Sequence, residues 1–194
     1  MSQVLDNLVG ALQLLPGVGR KSAQRMALNL IQHKRDAAEH LIASLRRALD
    51  DIQHCAQCRN LTEAALCEIC SDPQREDAVV CVVEDPSDQL AIERATQFKG
   101  RYFVLHGRIS PLDGVGPQDI GVDVLEGRLS EGGIKTLILA TGGTVEGLTT
   151  AEYIAAMAER YQVEVQRLAQ GLPVGSELDY IDPATLSMAF NSRR

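Results

Sequence analysis

Aromatic side chains are scarce in this sequence, and its first half has none. Its 194 residues include three Phe, four Tyr and no Trp, and the first of the aromatic residues is Phe98. Proteins that bind single-stranded nucleic acid without sequence preference usually stack the bases on aromatic rings. Any nucleic-acid contact made by residues 1–77 is therefore expected to be directed at phosphates, to weaken with salt and to be indifferent to base sequence.

Long apolar runs and a basic leader are also missing. The longest uncharged apolar run, residues 78–83, is far shorter than the roughly 18 to 20 residues that a membrane span requires. The N-terminal segment carries an early Asp6 and has no basic stretch ahead of its apolar residues, so a secretory signal is not expected. We therefore expect a cytoplasmic protein that does not contact a membrane.

Basic residues are outnumbered overall, but they are unevenly distributed. The net charge is −7, whereas residues 1–54 hold seven Lys and Arg against five Asp and Glu. A contact with a polyanion should therefore be local and lie in this first segment. Hydrophobic residues make up 45% of the chain, which excludes a wholly disordered polypeptide.

The character of the sequence changes along the chain. Apolar residues first recur at helical spacing, a cysteine-rich stretch follows, and from residue 78 β-prone runs alternate with helical segments. Such alternation is typical of an α/β fold with right-handed crossovers in a largely parallel sheet. The predicted parts are a helical region at 1–54, a cysteine-rich module at 55–77, an α/β domain at 78–170 and a short tail at 171–194.

Four cysteines have the spacing of zinc ligands. Cys55, Cys58, Cys67 and Cys70 form the pattern C-x2-C-x8-C-x2-C, with each pair on a tight knuckle. Two such pairs can close a tetrahedron around one ion, and four protein ligands leave no open position for catalysis. We predict one structural Zn²⁺ per chain; four reduced thiols or a redox pair are the alternatives. Cys81 lies in an apolar run and is expected to be a buried small side chain.

A glycine turn lies between two predicted helices near the start of the chain. Gly17 and Gly19 permit a tight turn that exposes backbone N–H groups at the start of the second helix. Such groups bind phosphate without reading bases, as in a helix-hairpin-helix. The alternative is a helix corner that only packs. A Walker A phosphate loop is excluded here, because its motif is absent.

Basic residues follow this turn. Lys21 and Arg25 are four residues apart and therefore share one helix face. We expect that face to lie opposite an apolar stripe formed by Met26, Leu30 and Ile31. The turn and the basic face together predict a grip on the DNA backbone.

Acidic residues follow two predicted strands of the α/β domain. Glu84 and Asp88 come after the apolar run 78–83, and Glu146 belongs to the loop after a strand at 135–140. Ligands bind at the carboxyl ends of parallel strands, and acids there can hold magnesium. One hypothesis is thus a magnesium-dependent nuclease or phosphoryl-transfer enzyme. A partner-binding surface is the other interpretation, and helix capping accounts for part of the cluster.

The tail contains an apolar run that ends in an acid. Residues 178–182 read LDYID, which is similar to a Walker B strand. Because a Walker A partner is missing, we predict a structural strand or a contact between copies of the chain.

The strand ending in Glu84 and the loop ending in Glu146 and Gly147 resemble a Toprim domain. Catalytic Toprim proteins place a D-x-D motif ahead of that Glu-Gly pair to hold magnesium. In this sequence the two Asp positions are Gly142 and Thr144, which supply no carboxylate. The resemblance therefore implies a binding scaffold that lacks the catalytic acids.

The order of the motifs resembles the RecR family of bacterial recombination mediators. The resemblance covers essentially the whole chain, although the family commonly has Asn-Pro where Gly142 and Gly143 stand. The segments that carry it, besides the four cysteines, are 15–25, 81–88, 106–117, 144–153 and 169–182.

This resemblance implies a non-enzymatic DNA clamp and adaptor in recombinational repair. It implies a homo-oligomer, either a dimer or a tetrameric ring, with the tail 171–194 as an oligomerisation segment. It also implies that RecO and RecF are partners, with which the protein helps to load RecA on gapped or single-stranded DNA. The DNA-binding residues predicted from the turn and the basic residues after it are Gly17, Gly19, Arg20, Lys21 and Arg25, and the candidate partner-binding residues in the acidic cluster are Glu84, Asp88 and Glu146.

Overall fold

The computed structural model describes residues 2–169, 172, 175 and 177–191, apart from the side chains of residues 184, 188 and 191. The chain divides into two compact units, residues 1–52 and 53–194. Across the described residues, no helix combines the length and the hydrophobicity needed to cross a bilayer.

The first unit consists of three helices, as the sequence predicts. They are α1 (Gln3–Leu12), α2 (Arg20–His33) and α3 (Arg35–Asp51). Val9 on α1 packs against Ala23 and Ala27 on α2, and all three residues are buried. The small alanine side chains let the two helices approach closely, because little volume separates their backbones.

The apolar stripe predicted on α2 is not a buried face. Met26 and Ile31 are 43% and 47% exposed, and α3 has no buried residue. The buried stripe of α2 instead follows Ala23 and Ala27, and α1 covers only that narrow part of a wider apolar surface. Further large apolar residues of α3 and its end are exposed: Leu41, Ile42, Leu45, Leu49 and Ile52.

The second unit combines a small cysteine module with an α/β domain. Its elements are β1 (Gln53–His54), β2 (Leu61–Thr62), α4 (Glu68–Ser71), β3 (Glu76–Val83), α5 (Pro86–Ala95), β4 (Gly100–Val104), α6 (Val122–Ser130), β5 (Thr136–Ala140), α7 (Val145–Glu159), β6 (Glu164–Arg167), a 3-10 turn (Leu178–Tyr180) and α8 (Pro183–Asn191). The main sheet has the order β4-β3-β5-β6 with every neighbouring pair parallel, and β1 pairs antiparallel with β2. The predicted α/β class with a parallel sheet is confirmed.

The strand register brings the ends of three strands to one level. Val83 at the end of β3 pairs with Val104 of β4 and with Ala140 of β5. The last four residues of β3 are buried, because helices and neighbouring strands cover both of its faces. Glu84 and the loop after β5 therefore emerge side by side at the same edge of the sheet.

The structure corrects two expectations. Residues 178–180 form a 3-10 turn and not a strand. Glu146 lies in the first turn of α7 and not in a loop, because the helix begins at Val145, where the Gly147 N–H donates to the Thr144 Oγ1 at 3.1 Å. Of the predicted oligomerisation segment 171–194, residues 171, 173, 174, 176 and 192–194 lie outside the described residues.

Candidate metal centre and nucleic-acid interface

The four predicted zinc ligands come together in the cysteine module. All four thiols are buried, and their sulfur atoms lie within 4.8 Å of one another. The Cys58 and Cys67 sulfurs are 3.5 Å apart. Zn–S bonds of about 2.3 Å place the sulfurs of a tetrahedral site about 3.8 Å apart, so this cluster fits one zinc ion.

Backbone N–H groups support the sulfurs. The Cys67 N–H donates to the Cys55 sulfur at 3.3 Å, and the Asn60 N–H donates to the Cys58 sulfur at 3.5 Å. Burial opposes ionisation of Cys55, but backbone N–H groups of both knuckles outweigh it and lower the pKa of this thiol to about 6. Burial raises the pKa of Cys67 to about 11, so this thiol loses its proton as the metal binds.

The cysteine module is attached to the outer edge of β4. The Val104 N–H donates to the Cys58 carbonyl at 2.8 Å. Arg59 reaches across to the α/β domain and donates to the Ile120 carbonyl at 2.5 Å. His106 stacks on His54 with ring centroids 4.5 Å apart. The metal centre is therefore packed against the sheet and belongs to the same compact unit.

Two arginines in this region, the buried Arg101 and the half-buried Arg128, were missed by the sequence analysis. Arg101 on β4 and Arg128 on α6 donate hydrogen bonds to backbone carbonyls of the cysteine module. The one available signal was the charge of Arg101 inside a β-prone run, since such residues are rarely buried without a partner. Helical spacing alone gives no indication of what Arg128 contacts.

The predicted glycine turn joins α1 to α2. Gly17 has a φ of +76°, a conformation that favours glycine, and the Val18 N–H donates to the Leu15 carbonyl at 3.1 Å. Gly19 occupies the N-cap position of α2. Because glycine has no side chain, no side-chain hydrogen bond caps this end of the helix. The first N–H groups of α2 thus remain open to an anion.

Three predicted basic residues follow the turn on one exposed surface. Arg20, Lys21 and Arg25 are all exposed. Lys21 and Arg25, with Gln24 and Leu28, line a surface groove of about 550 Å³. The geometry brings the predicted cations next to the open helix end, which is suited to phosphate oxygens.

The three acids at the strand ends differ in their surroundings. Glu84 is only 9% exposed, and its Oε1 accepts a hydrogen bond from the Gly142 N–H at 2.8 Å. Asp88 is half-buried and its Oδ2 accepts the Asp85 N–H at 3.0 Å, which caps α5. Glu146 is half-buried in α7. Among the residues that the structure describes, only the four cysteines gather as a group of three or more metal ligands.

A side chain at Gly147, in the first turn of α7, is expected to clash with the loop 141–144 that follows β5. A Cβ at this position would overlap the Gly142 carbonyl oxygen and lie 2.8 Å from the Glu84 Oε1. We expect Gly147→Ala to lower the free energy of unfolding in urea by about 2–3 kcal/mol, because the loop must open. Gly143→Ala is the matched control: nothing lies within 4 Å of its Cβ, so a change under about 0.5 kcal/mol is expected. Equal stability of the two variants would contradict the packing described here.

Full-length relatives decide the family. This chain is 54% identical to the "Recombination protein RecR" of Methylococcus capsulatus over 98% of this chain and 96% of that protein. The chain belongs to the RecR family. Proteins of the same name from Xanthomonas campestris pv. campestris and Alcanivorax borkumensis are each 49% identical, over 100% and 98% of this chain and 98% and 96% of their own lengths.

Family models divide the chain in the same order as its motifs. A RecR helix-hairpin-helix model matches residues 5–49, and a RecR zinc finger model of the four-cysteine type matches residues 52–72. A Toprim domain matches 78–169, and a RecR C-terminal model matches 171–194. The predicted structural zinc site is confirmed by the zinc finger match and by the geometry of the four cysteines. The matched relatives carry the name of a recombination protein and not of an enzyme.

Proposed function

We propose that this chain is a non-enzymatic DNA-binding clamp and adaptor in recombinational DNA repair. Membership of a family named for recombination supports the pathway. The observation that carries DNA binding is the open N-terminal end of α2 beside three exposed cations. In this proposal the turn at Gly17 and Gly19 lets one DNA phosphate reach the first N–H groups of α2. The side chains of Arg20, Lys21 and Arg25 bind adjacent phosphates, so that no base is read.

The proposal that the protein catalyses no reaction depends on the loop 141–144 after β5 of the Toprim domain. Gly142 and Thr144 stand where catalytic Toprim proteins carry two aspartates. The remaining Glu84 accepts a hydrogen bond from the backbone of that loop. The α/β domain is thus proposed to be a docking scaffold.

Partners follow from the family resemblance. We propose that RecO and RecF act with this protein to help load RecA on gapped or single-stranded DNA, and that this takes place in the cytoplasm. In this proposal Glu84 fixes the loop 141–144 by accepting the Gly142 N–H, while the half-buried Asp88 and Glu146 contact the partner. The four-part division at residues 54, 77 and 170 remains part of the same proposal.

A homo-oligomer accounts for the exposed apolar surface of the first unit. Among the described residues of this unit, three form the buried core, whereas α2 and α3 expose large apolar side chains such as Met26, Leu45 and Leu49. A domain of about 50 residues buries a small share of its surface and is only marginally stable alone, so a further apolar contact would stabilise it. We propose a dimer or tetrameric ring, which also multiplies the few phosphate contacts of each hairpin through effective concentration.

Salt-dependent DNA binding tests the proposal. Fluorescence anisotropy with labelled single-stranded and gapped DNA is expected to give an affinity that falls about 7–40-fold between about 50 and about 200 mM salt for two or three phosphate contacts, and more steeply where several hairpins of an oligomer bind one DNA. Different base sequences should bind equally, and the DNA should stay uncut with Mg²⁺. Light scattering should give a mass above that of the monomer. No binding at low ionic strength, even with RecO present, would overturn the DNA assignment, and a monomer throughout the micromolar range would overturn the ring.

A further inference from the structure

The two zinc knuckles are held by matching contacts from the α/β domain. Gln57 is the residue before the second cysteine of the first knuckle, and Ile69 occupies the same place in the second. Each accepts a hydrogen bond on its backbone carbonyl: Arg128 Nη1 donates to Gln57 at 2.8 Å, and Arg101 Nη1 donates to Ile69. Equivalent carbonyls thus receive the same kind of donor from two different elements, α6 and β4.

Both arginines are fixed in place by further contacts. Arg101 is only 6% exposed, and its Nε donates to the Asp77 carboxylate at 2.8 Å. Arg128 also donates to the Tyr102 carbonyl at 3.4 Å, and its guanidinium carbon lies 5.9 Å from the centre of the Phe103 ring. Because helix and strand hold these side chains, their positions are set before a metal arrives.

A zinc ion bound by four cysteine thiolates has a negative charge that nearby arginines can stabilise. Zinc bound by four thiolates carries a double negative charge, and the four cysteines are buried, where an uncompensated charge is costly. Arginine stays protonated in proteins, so both guanidinium groups carry a positive charge, but that of Arg101 is paired with the Asp77 carboxylate and only that of Arg128 is left for the zinc centre. Burial lowers the pKa of Arg128, and the negative charges of the cysteines, that of Cys70 most strongly, oppose this shift.

We propose that Arg101 and Arg128 are positioning residues of the zinc centre, which hold its two knuckles at the correct separation, and that Arg128 also offsets part of the charge of the tetrathiolate. The α/β domain thereby contributes to zinc retention, although none of its own residues is a ligand. The proposal concerns the metal centre and is independent of the proposed DNA binding.

Zinc affinity of the full chain tests this role. The variants are Arg128→Met and Arg101→Met, which keep much of the side-chain volume and remove the charge. Competition with chelators of known affinity is expected to show about 10–100-fold weaker zinc binding for each variant, with faster release to a chromogenic chelator. Arg128→Lys restores the charge without the planar fork and should recover part of the affinity.

Arg75→Met separates this role from general destabilisation. Arg75 is also a half-buried arginine of the second unit, but its hydrogen bonds go to the Glu93 carboxylate, Nη2 to Oε2 at 2.6 Å, and to the Phe98 and Gly100 carbonyls, and its link to the cysteine module is a 3.7 Å ion pair with Asp72 rather than a bond to a knuckle carbonyl. We expect this variant to unfold more easily and to change zinc affinity by less than about threefold. Wild-type zinc affinity in both Arg101→Met and Arg128→Met would overturn the proposal, as would an equal loss in Arg75→Met.

The milder variant Arg128→Lys keeps the proposal testable if Arg128→Met does not fold. Where Arg128→Met gives no folded protein by circular dichroism, Arg128→Lys is measured alone against Arg75→Met. Weaker zinc binding in Arg128→Lys than in Arg75→Met supports the proposal. The reverse order overturns it.

Discussion

Reversing two charges, Lys21→Glu together with Arg25→Glu, is expected to weaken DNA binding by about 100-fold or more. Each lost phosphate contact removes one released counterion from the binding equilibrium, and each new carboxylate repels the backbone. The salt dependence of the affinity should become shallower in the same experiment. Because both side chains are exposed, the circular dichroism spectrum and melting temperature should stay those of the parent protein.

A matched control removes the effect of net charge. Arg94→Glu with Lys135→Glu changes the charge of the chain by the same amount, and both residues are exposed in the second unit. Anisotropy titrations at one salt concentration should give nearly parental affinity for this control. If both double variants lost affinity equally, bulk charge would explain the binding and the hairpin would not be the site.

Replacing one zinc ligand, Cys58→Ser, is expected to empty the metal centre and destabilise the second unit. Cys58 is fully buried, and its carbonyl accepts the Val104 N–H of β4, so loss of the knuckle releases the sheet edge as well. At free zinc about 1,000 times its Kd, metal binding alone contributes about 4 kcal/mol. Losing it should lower the melting temperature by roughly 8–16 °C for a domain of this size.

Zinc content and melting temperature are measured together. Elemental analysis should give close to one zinc per chain for the parent and almost none for Cys58→Ser. Cys81→Ala is the control, since Cys81 is also buried but packs in the apolar cluster of β3. It should keep its zinc despite some loss of stability. A Cys58→Ser protein with full zinc content and the parental melting temperature would refute the assignment.

The sequence predicts the parts of this protein well where a local pattern has one physical meaning. The run Ala78–Val83 is too apolar for a half-exposed strand, and its last four residues form the buried part of β3. The cysteine spacing leaves few arrangements other than a tetrahedral site, and the four thiols meet. The turn at Gly17 needs a positive φ, and it has one.

Other features depend on contacts that local patterns do not record. Met26 and Ile31 have the helical spacing of a core face, but α1 is too narrow to cover them. Helix α7 starts earlier than its apolar pattern, because Thr144 caps it. Arg128 donates a hydrogen bond to the Gln57 carbonyl, 71 residues away in the sequence, and no local motif at either position predicts this contact.

Strand β4 forms one edge of the main sheet, and other parts of the chain engage its backbone from outside. Arg75 binds the Gly100 carbonyl, Arg128 the Tyr102 carbonyl and Cys58 the Val104 N–H. The opposite edge, β6, is instead short and carries exposed Glu164 and Arg167. The charges on β6 discourage another chain from adding a strand there, whereas β4 depends on the contacts that cover its backbone. Loss of zinc would release the Cys58 contact and expose the Val104 end of β4, so metal starvation should make this protein more prone to edge-to-edge aggregation.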